Sequence, residues 1–453
     1  MDLTPLRWTL QFSRVASQRA LQRVRSRGKS EPRREPFVQP SACHRGLVEG
    51  QFAGLDPADP QYATQVVERM LAAGRAAGAS DLHLQPGSDG LELKFRIDGV
   101  LLAVALFPAR LAPNIIARLK VQAELLTYRT DSPQEGRIRA AADDVEMRVS
   151  TFPTLHGERA VVRLFGQAGQ YQRLADLVMP EPVAATLGQL LAETSGAILV
   201  SGPAGGGKTT TAYACLRELV DAGRGMRSLV SLEDPIEVAV AGVAQSQVHA
   251  AAGLDLATGL RFLMRQDPEV ILVGEIRDRA TAEAALQASL TGHLLLSTFH
   301  AGSAAETIGR LLDMAIEPYV LRSGLLAIVC QRLLRKLCRC AQPAEQAEAR
   351  LGLPIGRAMA PVGCAACGGS GYKGRFLLVE MLSFRHLGDG AELARAILAR
   401  ADTSVLERLA VRAGMVTHWQ GACQAVESGL TSPAEVRRVL GLAQPPLPQE
   451  PAS

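Results

Sequence analysis

The chemistry this sequence can offer is concentrated in one glycine-rich octet, two short acidic runs, a pair of histidines and a group of cysteines. Gly202, Pro203, Ala204, Gly205, Gly206, Gly207, Lys208 and Thr209 fit the pattern G-x-x-x-x-G-K-[ST]. The octet directly follows an apolar run at 197–200 and opens a helical pattern at 209–221. Such a loop wraps phosphates in backbone N–H groups, and the helix that starts there adds its partial positive charge. Lys208 is then placed to bridge the outer phosphates, and the Thr209 hydroxyl to ligate Mg²⁺. The chemistry implied is binding of ATP with Mg²⁺.

Hydrolysis asks for more than a phosphate loop, because carboxylates must hold the metal and orient water. Glu233 and Asp234 end an apolar run at 228–232, in Glu233-Asp234-Pro235-Ile236-Glu237, and Glu275 ends another at 270–273. Acids at the carboxyl ends of parallel strands line the crevice where such sheets bind ligands. Each acid alone also suits a helix cap; two beside one phosphate loop favour catalysis. His293 and His300 flank the apolar run 294–297. A histidine there can satisfy a core hydrogen bond, or, at the strand end, sense the γ-phosphate.

The elements needed to hold these residues can be read from the pattern around them. Short apolar strands at 197–200, 229–232 and 270–273, alternating with helices, indicate a doubly wound parallel sheet. Ahead of it, a helical stretch at 63–77 and alternating segments at 91–96, 145–151 and 159–165 indicate a small α+β domain. A polar, glycine-containing stretch at 166–173 marks the boundary between them.

The boxes, taken in order, resemble the ATPases of type II secretion and type IV pilus assembly. The resemblance is carried by the glycine loop with Thr209-Thr210-Thr211, the 233–237 acidic box, Arg265-Gln266-Asp267-Pro268 leading into 273–278, and Thr291 to His300. It extends to Ala79-Ser80-Asp81-Leu82-His83, Phe95-Arg96-Ile97-Asp98-Gly99, 133–137, 148–151, Gly371-Tyr372-Lys373-Gly374-Arg375 and Gly414-Met415, covering about residues 60–440. The resemblance implies a RecA-like motor domain, ATP held by Gly202 to Thr210, a homo-hexameric ring, and docking on the cytoplasmic face of an inner-membrane platform. It implies that Glu275 belongs to the Walker B box and holds Mg²⁺, with Glu233 the water-orienting acid, although the sequence does not separate the two roles. Arg137, Arg148 and Arg159 lie in elements that match the family, whose small-domain arginines reach the phosphates. Thr130 and Asp131 stand where members commonly carry two basic residues.

Members of the assembly branch also carry two C-x-x-C pairs that surround Zn²⁺ with four thiolates. Here Cys364-Ala365-Ala366-Cys367 is regular, while the first pair is Cys338-Arg339-Cys340. Zn²⁺ bound by these four cysteines is the expectation. The retraction branch generally lacks the finger, so its presence favours assembly over a pilus-retraction motor.

The expected organisation is a basic mobile arm at 1–55, the small domain at 56–168, the ATPase core at 174–335, a cysteine finger at 336–376, a helical C-terminal region at 377–445 and a tail at 446–453. Set against the family resemblance, a short arm is expected in place of the long platform-binding domain of many members. Composition narrows the alternatives. Of 453 residues 47% are hydrophobic, enough for several cores, and no run approaches the roughly 18 apolar residues of a membrane span. A cytoplasmic protein, peripheral on the inner membrane, is expected. A net charge of +4 and an aromatic content of 4% give a nucleic-acid translocase little to work with, so no nucleic-acid partner is expected. A non-hydrolysing scaffold would have no need of the carboxylates.

Overall fold

A computed structural model describes residues 50–139, 146–164, 172–223, 226–344, 350–385 and 391–441. Most of the basic arm, most of the 166–173 boundary stretch and the tail lie outside the described residues. In the small domain, period-two burial sets the layering. Leu82, Leu84, Leu91, Leu93 and Phe95 are fully buried on one face, beneath helices α1 (Tyr62–Ala76) and α2 (Ala112–Gln122). Six antiparallel strands form the sheet: β1 (Asp81–Gly87), β2 (Gly90–Ile97), β3 (Val100–Phe107), β4 (Gln134–Arg139), β5 (Glu146–Thr154) and β6 (Gly157–Leu164). Their order is β3-β2-β1-β6-β5-β4.

Register puts charge on the opposite face. Arg137 pairs with Arg148, Arg148 with Arg163, Arg163 with Asp81 and Asp81 with Arg96, so one row across five strands holds four arginines and a single acid. Residues opposite one another on antiparallel strands share a face. The rows on either side, Ile138 with Met147 and Val162 with Leu82, are buried in the helix-covered core. Buried Asp81 is the counterion, 3.1 Å from Arg163 Nε and 3.5 Å from Arg96 Nε.

The second sheet has seven strands: β7 (Gly196–Ser201), β8 (Leu229–Glu233), β9 (Ala244–Gln247), β10 (Val270–Val273), β11 (Leu294–Phe299), β12 (Leu325–Leu337) and β15 (Tyr372–Ser383), the short β13 (Gln342–Pro343) and β14 (Met359–Ala360) pairing with each other between the last two. Their order is β15-β12-β7-β11-β10-β8-β9, with only β15 antiparallel to its neighbour. Strands β7, β8, β10 and β11 are buried along their whole length, which is why they read as continuous apolar runs. Their side chains alternate between two helical layers. Ile198, Leu272 and Leu296 meet helices α3 (Glu181–Leu191) and α4 (Lys208–Gly223), and Leu199, Ile271 and Leu295 meet α5 (Leu256–Leu263), α6 (Arg279–Leu290), α7 (Ala304–Asp313) and α8 (Pro318–Gly324).

The expected helical region from 377 begins instead with the second half of β15, which pairs with β12. Its apolar residues bury against β12 and the helices behind it, and a lone antiparallel edge strand has no helix-like spacing to distinguish it. Helices α9 (Ala391–Leu398), α10 (Thr403–Arg412), α11 (His418–Glu427) and α12 (Pro433–Leu440) follow. Fully buried Glu435 of α12 ties this end to β12 by accepting from the Arg335 backbone N–H at 3.0 Å and from Arg335 Nη2 at 2.7 Å. Burial alone would raise its pKa, but hydrogen bonds from Arg438 and Arg335 outweigh it and hold the carboxyl below its ordinary value. The turn between β2 and β3 contacts the start of β15, where Asp98 Oδ2 accepts from the Gly374 N–H at 3.0 Å.

Candidate active site

The phosphate loop leaves the carboxyl end of β7 in a path only glycine can take at Gly202. Its φ is 148°, and a Cβ there would lie 2.4 Å from the Gln331 carbonyl oxygen. Gln331, fully buried on β12, props the loop from beneath. Its Nε2 donates to the Gly206 carbonyl at 2.8 Å, and its Oε1 accepts from Thr211 Oγ1 at 2.9 Å. Lys208 opens α4, and its ammonium donates to the Gly202 and Pro203 carbonyls, both at 3.0 Å. Thr209 is half-buried and Thr210 exposed in the first turn, beside the exposed Pro203, Ala204 and Gly205.

Glu275 follows β10 through Gly274, whose N–H donates to the Leu232 carbonyl at 2.9 Å and whose carbonyl accepts from Thr298 Oγ1 at 2.8 Å. A Cβ on Gly274 would stand 3.2 Å from Glu233 Cα, so the strand ends pack closely. This close packing brings three of the expected residues together. Lys208 Nζ is 3.5 Å from His300 Nδ1, and His300 Nε2 is 3.5 Å from Glu275 Oε2. Glu275 also pairs with Arg277. Burial, then the Lys208 charge, push the His300 imidazole below its ordinary pKa against the pull of Glu275, which favours the neutral ring at physiological pH. Burial likewise lowers the Lys208 ammonium, opposed by Glu275.

Glu233 is placed differently. It is 3% exposed and turned toward the α4 layer, where Tyr213 Oη donates to Oε2 and Ser231 Oγ and Gln245 Nε2 donate to Oε1 at 2.6 and 3.0 Å. Tyr213, Gln245 and Gln331 carry no signal in the string, because each acts through a partner on another element, while Ser231 donates to Glu233 two residues along the same strand.

The small-domain arginines divide. Arg148 and Arg163 both bear on Glu237 of the acidic box, whose carboxyl is pushed above its ordinary pKa by burial against the pull of their charges. Arg163 was not among the expected residues, yet its alternation with buried Val162 and Leu164 along β6, on the same face as Arg159, was the available signal. Arg137 stands beside Arg148 in register. Arg159 is held within the small domain, its Nη2 3.3 Å from His83 Nδ1.

The four finger cysteines converge, their sulfurs all within 4.8 Å of one another. Cys338 and Cys364 are 3.8 Å apart, Cys340 and Cys367 3.9 Å, and Cys364 and Cys367 3.8 Å. Thiolates 2.3 Å from a tetrahedral centre lie about 3.8 Å from each other, so the tighter C-x-C pair still offers a metal-sized quartet. Burial would raise Cys367, but N–H donors of Cys364 and Gly371 bring it down to about 6. A sulfur so disposed is a ready ligand.

Comparison with known proteins shows the family of the chain. Residues 56–438 match the family model described as type II/IV secretion system protein. A putative type II secretion system protein E of Escherichia coli is 41% identical over 370 residues, covering 80% of this chain and 73% of its own. Type II secretion system protein E of Klebsiella pneumoniae is 39% identical, covering 85% and 77%. Type II secretion system ATPase E of Vibrio cholerae is 38% identical, covering 85% and 76%. Among solved structures, the Legionella pneumophila ATPase DotB aligns with a TM-score of 0.60 at 21% identity, covering 84% of this chain and 97% of that one. The pilus retraction motor PilT with bound ADP aligns at 0.53 and 24%, covering 82% and 96%. These two share the fold.

Proposed function

Because the chain belongs to the type II/IV secretion system protein family, we propose that it is the ATP-hydrolysing motor of a type II secretion machine. The observation that carries this reading is the convergence of Lys208, Glu275 and His300 at the carboxyl edge of the parallel sheet, beside the phosphate loop. Glycine N–H groups and Lys208 bind the phosphates, and Thr209 and Glu275 would hold Mg²⁺, which when bound neutralises the charge of the transferring group. Glu233 orients water, and His300, touching both Lys208 and Glu275, senses the outer phosphate. Arg148 and Arg163 face the acidic box from the small domain and would add positive charge when the two domains close on nucleotide. Each subunit then works in a homo-hexameric ring docked on an inner-membrane platform. No helix among the described residues is long and apolar enough to cross a membrane, which fits peripheral docking.

The motor reading is tested in the host cell. Deleting the chain is expected to leave the exported proteins inside, with the wild-type chain restoring export and Lys208→Ala failing to do so. Export that continues unchanged in the deletion strain would contradict the assignment.

The cysteine quartet takes Zn²⁺ in this reading, because tetrahedral all-sulfur sites suit that ion. Protein purified without added zinc should carry about one Zn²⁺ per chain, and Cys364→Ser should lose it along with several degrees of melting temperature. Metal-free wild-type protein with the same melting temperature as zinc-supplemented protein would defeat this assignment.

A further inference from the structure

Tyr213 has work that its packing does not explain. Its ring lies in the apolar layer between α4 and the sheet, a place a phenylalanine would fill as well. The hydroxyl, however, donates to Glu233 Oε2 and accepts from the Glu237 backbone N–H at 3.2 Å. It therefore holds both ends of the acidic box. Burial, reinforced by the bond to Glu233, pushes the phenol well above its ordinary pKa, so the proton stays on tyrosine and the donation runs one way. A buried carboxylate that did no more than fill space would cost desolvation that an apolar residue avoids. Here the carboxylate is instead met by three donors from three elements: α4, β8 and β9.

We propose that Tyr213 is a positioning residue for hydrolysis, fixing the direction of the Glu233 carboxylate and tying the acidic box to the helix that begins with the phosphate-binding lysine. Lys208 and Tyr213 belong to one continuous helix. A displacement of that helix as the loop closes on phosphate is thus passed to Glu233 through a single hydroxyl. The proposal rests on the reading of Glu233 as the water-orienting acid, and the test separates the two.

Tyr213→Phe keeps the ring and removes only the donor. Turnover is expected to fall about 10- to 100-fold, the scale on which a displaced catalytic group costs rate. KM for Mg·ATP should stay within about twofold, because ground-state phosphate contacts are untouched. In a Glu233→Gln background the same change should cost nothing further, since its effect runs through that carboxylate. Normal turnover in folded Tyr213→Phe, with Glu233→Gln slow, would overturn the positioning role and leave the Glu233 reading standing. Normal turnover in Glu233→Gln would overturn both. Losses that multiply in the double variant would show Tyr213 acting by another route and would also overturn the proposal. Should Tyr213→Phe fail to fold, Gln245→Met on half-buried edge strand β9 removes the donor to the other oxygen. It is expected to slow turnover several-fold at unchanged KM, and unaltered turnover there would overturn the proposal as well.

Discussion

Lys208→Ala is expected to reduce ATP turnover by about two to three powers of ten, the scale of losing one preorganised electrostatic group, and to weaken Mg·ATP binding with it. Two effects combine. The point charge that neutralises the outer phosphates disappears. The Gly202 and Pro203 carbonyls also lose the ammonium that pins them, at 3.0 Å each, so the loop loses an internal brace. Gln331 beneath the loop remains, which keeps the fold while the site fails. The check is steady-state phosphate release alongside equilibrium binding of a non-hydrolysed ATP analogue. Turnover near wild-type would remove the nucleotide site from this loop.

The second large effect separates binding from chemistry. Glu275→Gln should retain ATP and lose at least about a hundredfold in rate, as expected when a metal-positioning carboxylate becomes an amide. Its neighbours Arg277 and His300 lose the charge they pair with. Glu233→Gln should lose as much, for a different reason. A glutamine keeps only one acceptor oxygen for the three donors of Tyr213, Ser231 and Gln245, so one of those hydrogen bonds is reversed or lost along with the charge. If both variants hydrolyse normally, the two acids are structural caps.

How much of this was legible in the sequence depends on how far each feature reaches. The phosphate loop is a local string after an apolar strand, and the buried strands β7, β8, β10 and β11 announce themselves as short apolar runs. The cysteine quartet was readable from spacing, including its irregular first pair. Features set by register between distant segments were not. Nothing near Glu233 in the chain says that its carboxylate meets Tyr213, 20 residues earlier on the phosphate-loop helix. The arginine row needs the pairing of five strands, and only that pairing sets Arg148 beside Arg163 while leaving Arg159 against His83. The strand that opens the expected helical C-terminal region is fixed by its long antiparallel partner β12, which lies about 35 residues upstream at its nearest pairing, Leu337 with Tyr372.

The central claim is that this cluster binds ATP and, with Mg²⁺, hydrolyses it. It is tested most directly by measuring bound nucleotide and released phosphate in the same purified samples of wild-type, Lys208→Ala and Glu275→Gln protein, with and without Mg²⁺. The account predicts phosphate release by the wild-type that stops when Mg²⁺ is chelated, ATP held with release at least about a hundredfold slower by Glu275→Gln, and both weakened binding and strongly reduced release by Lys208→Ala. Equal phosphate release by all three proteins would contradict it.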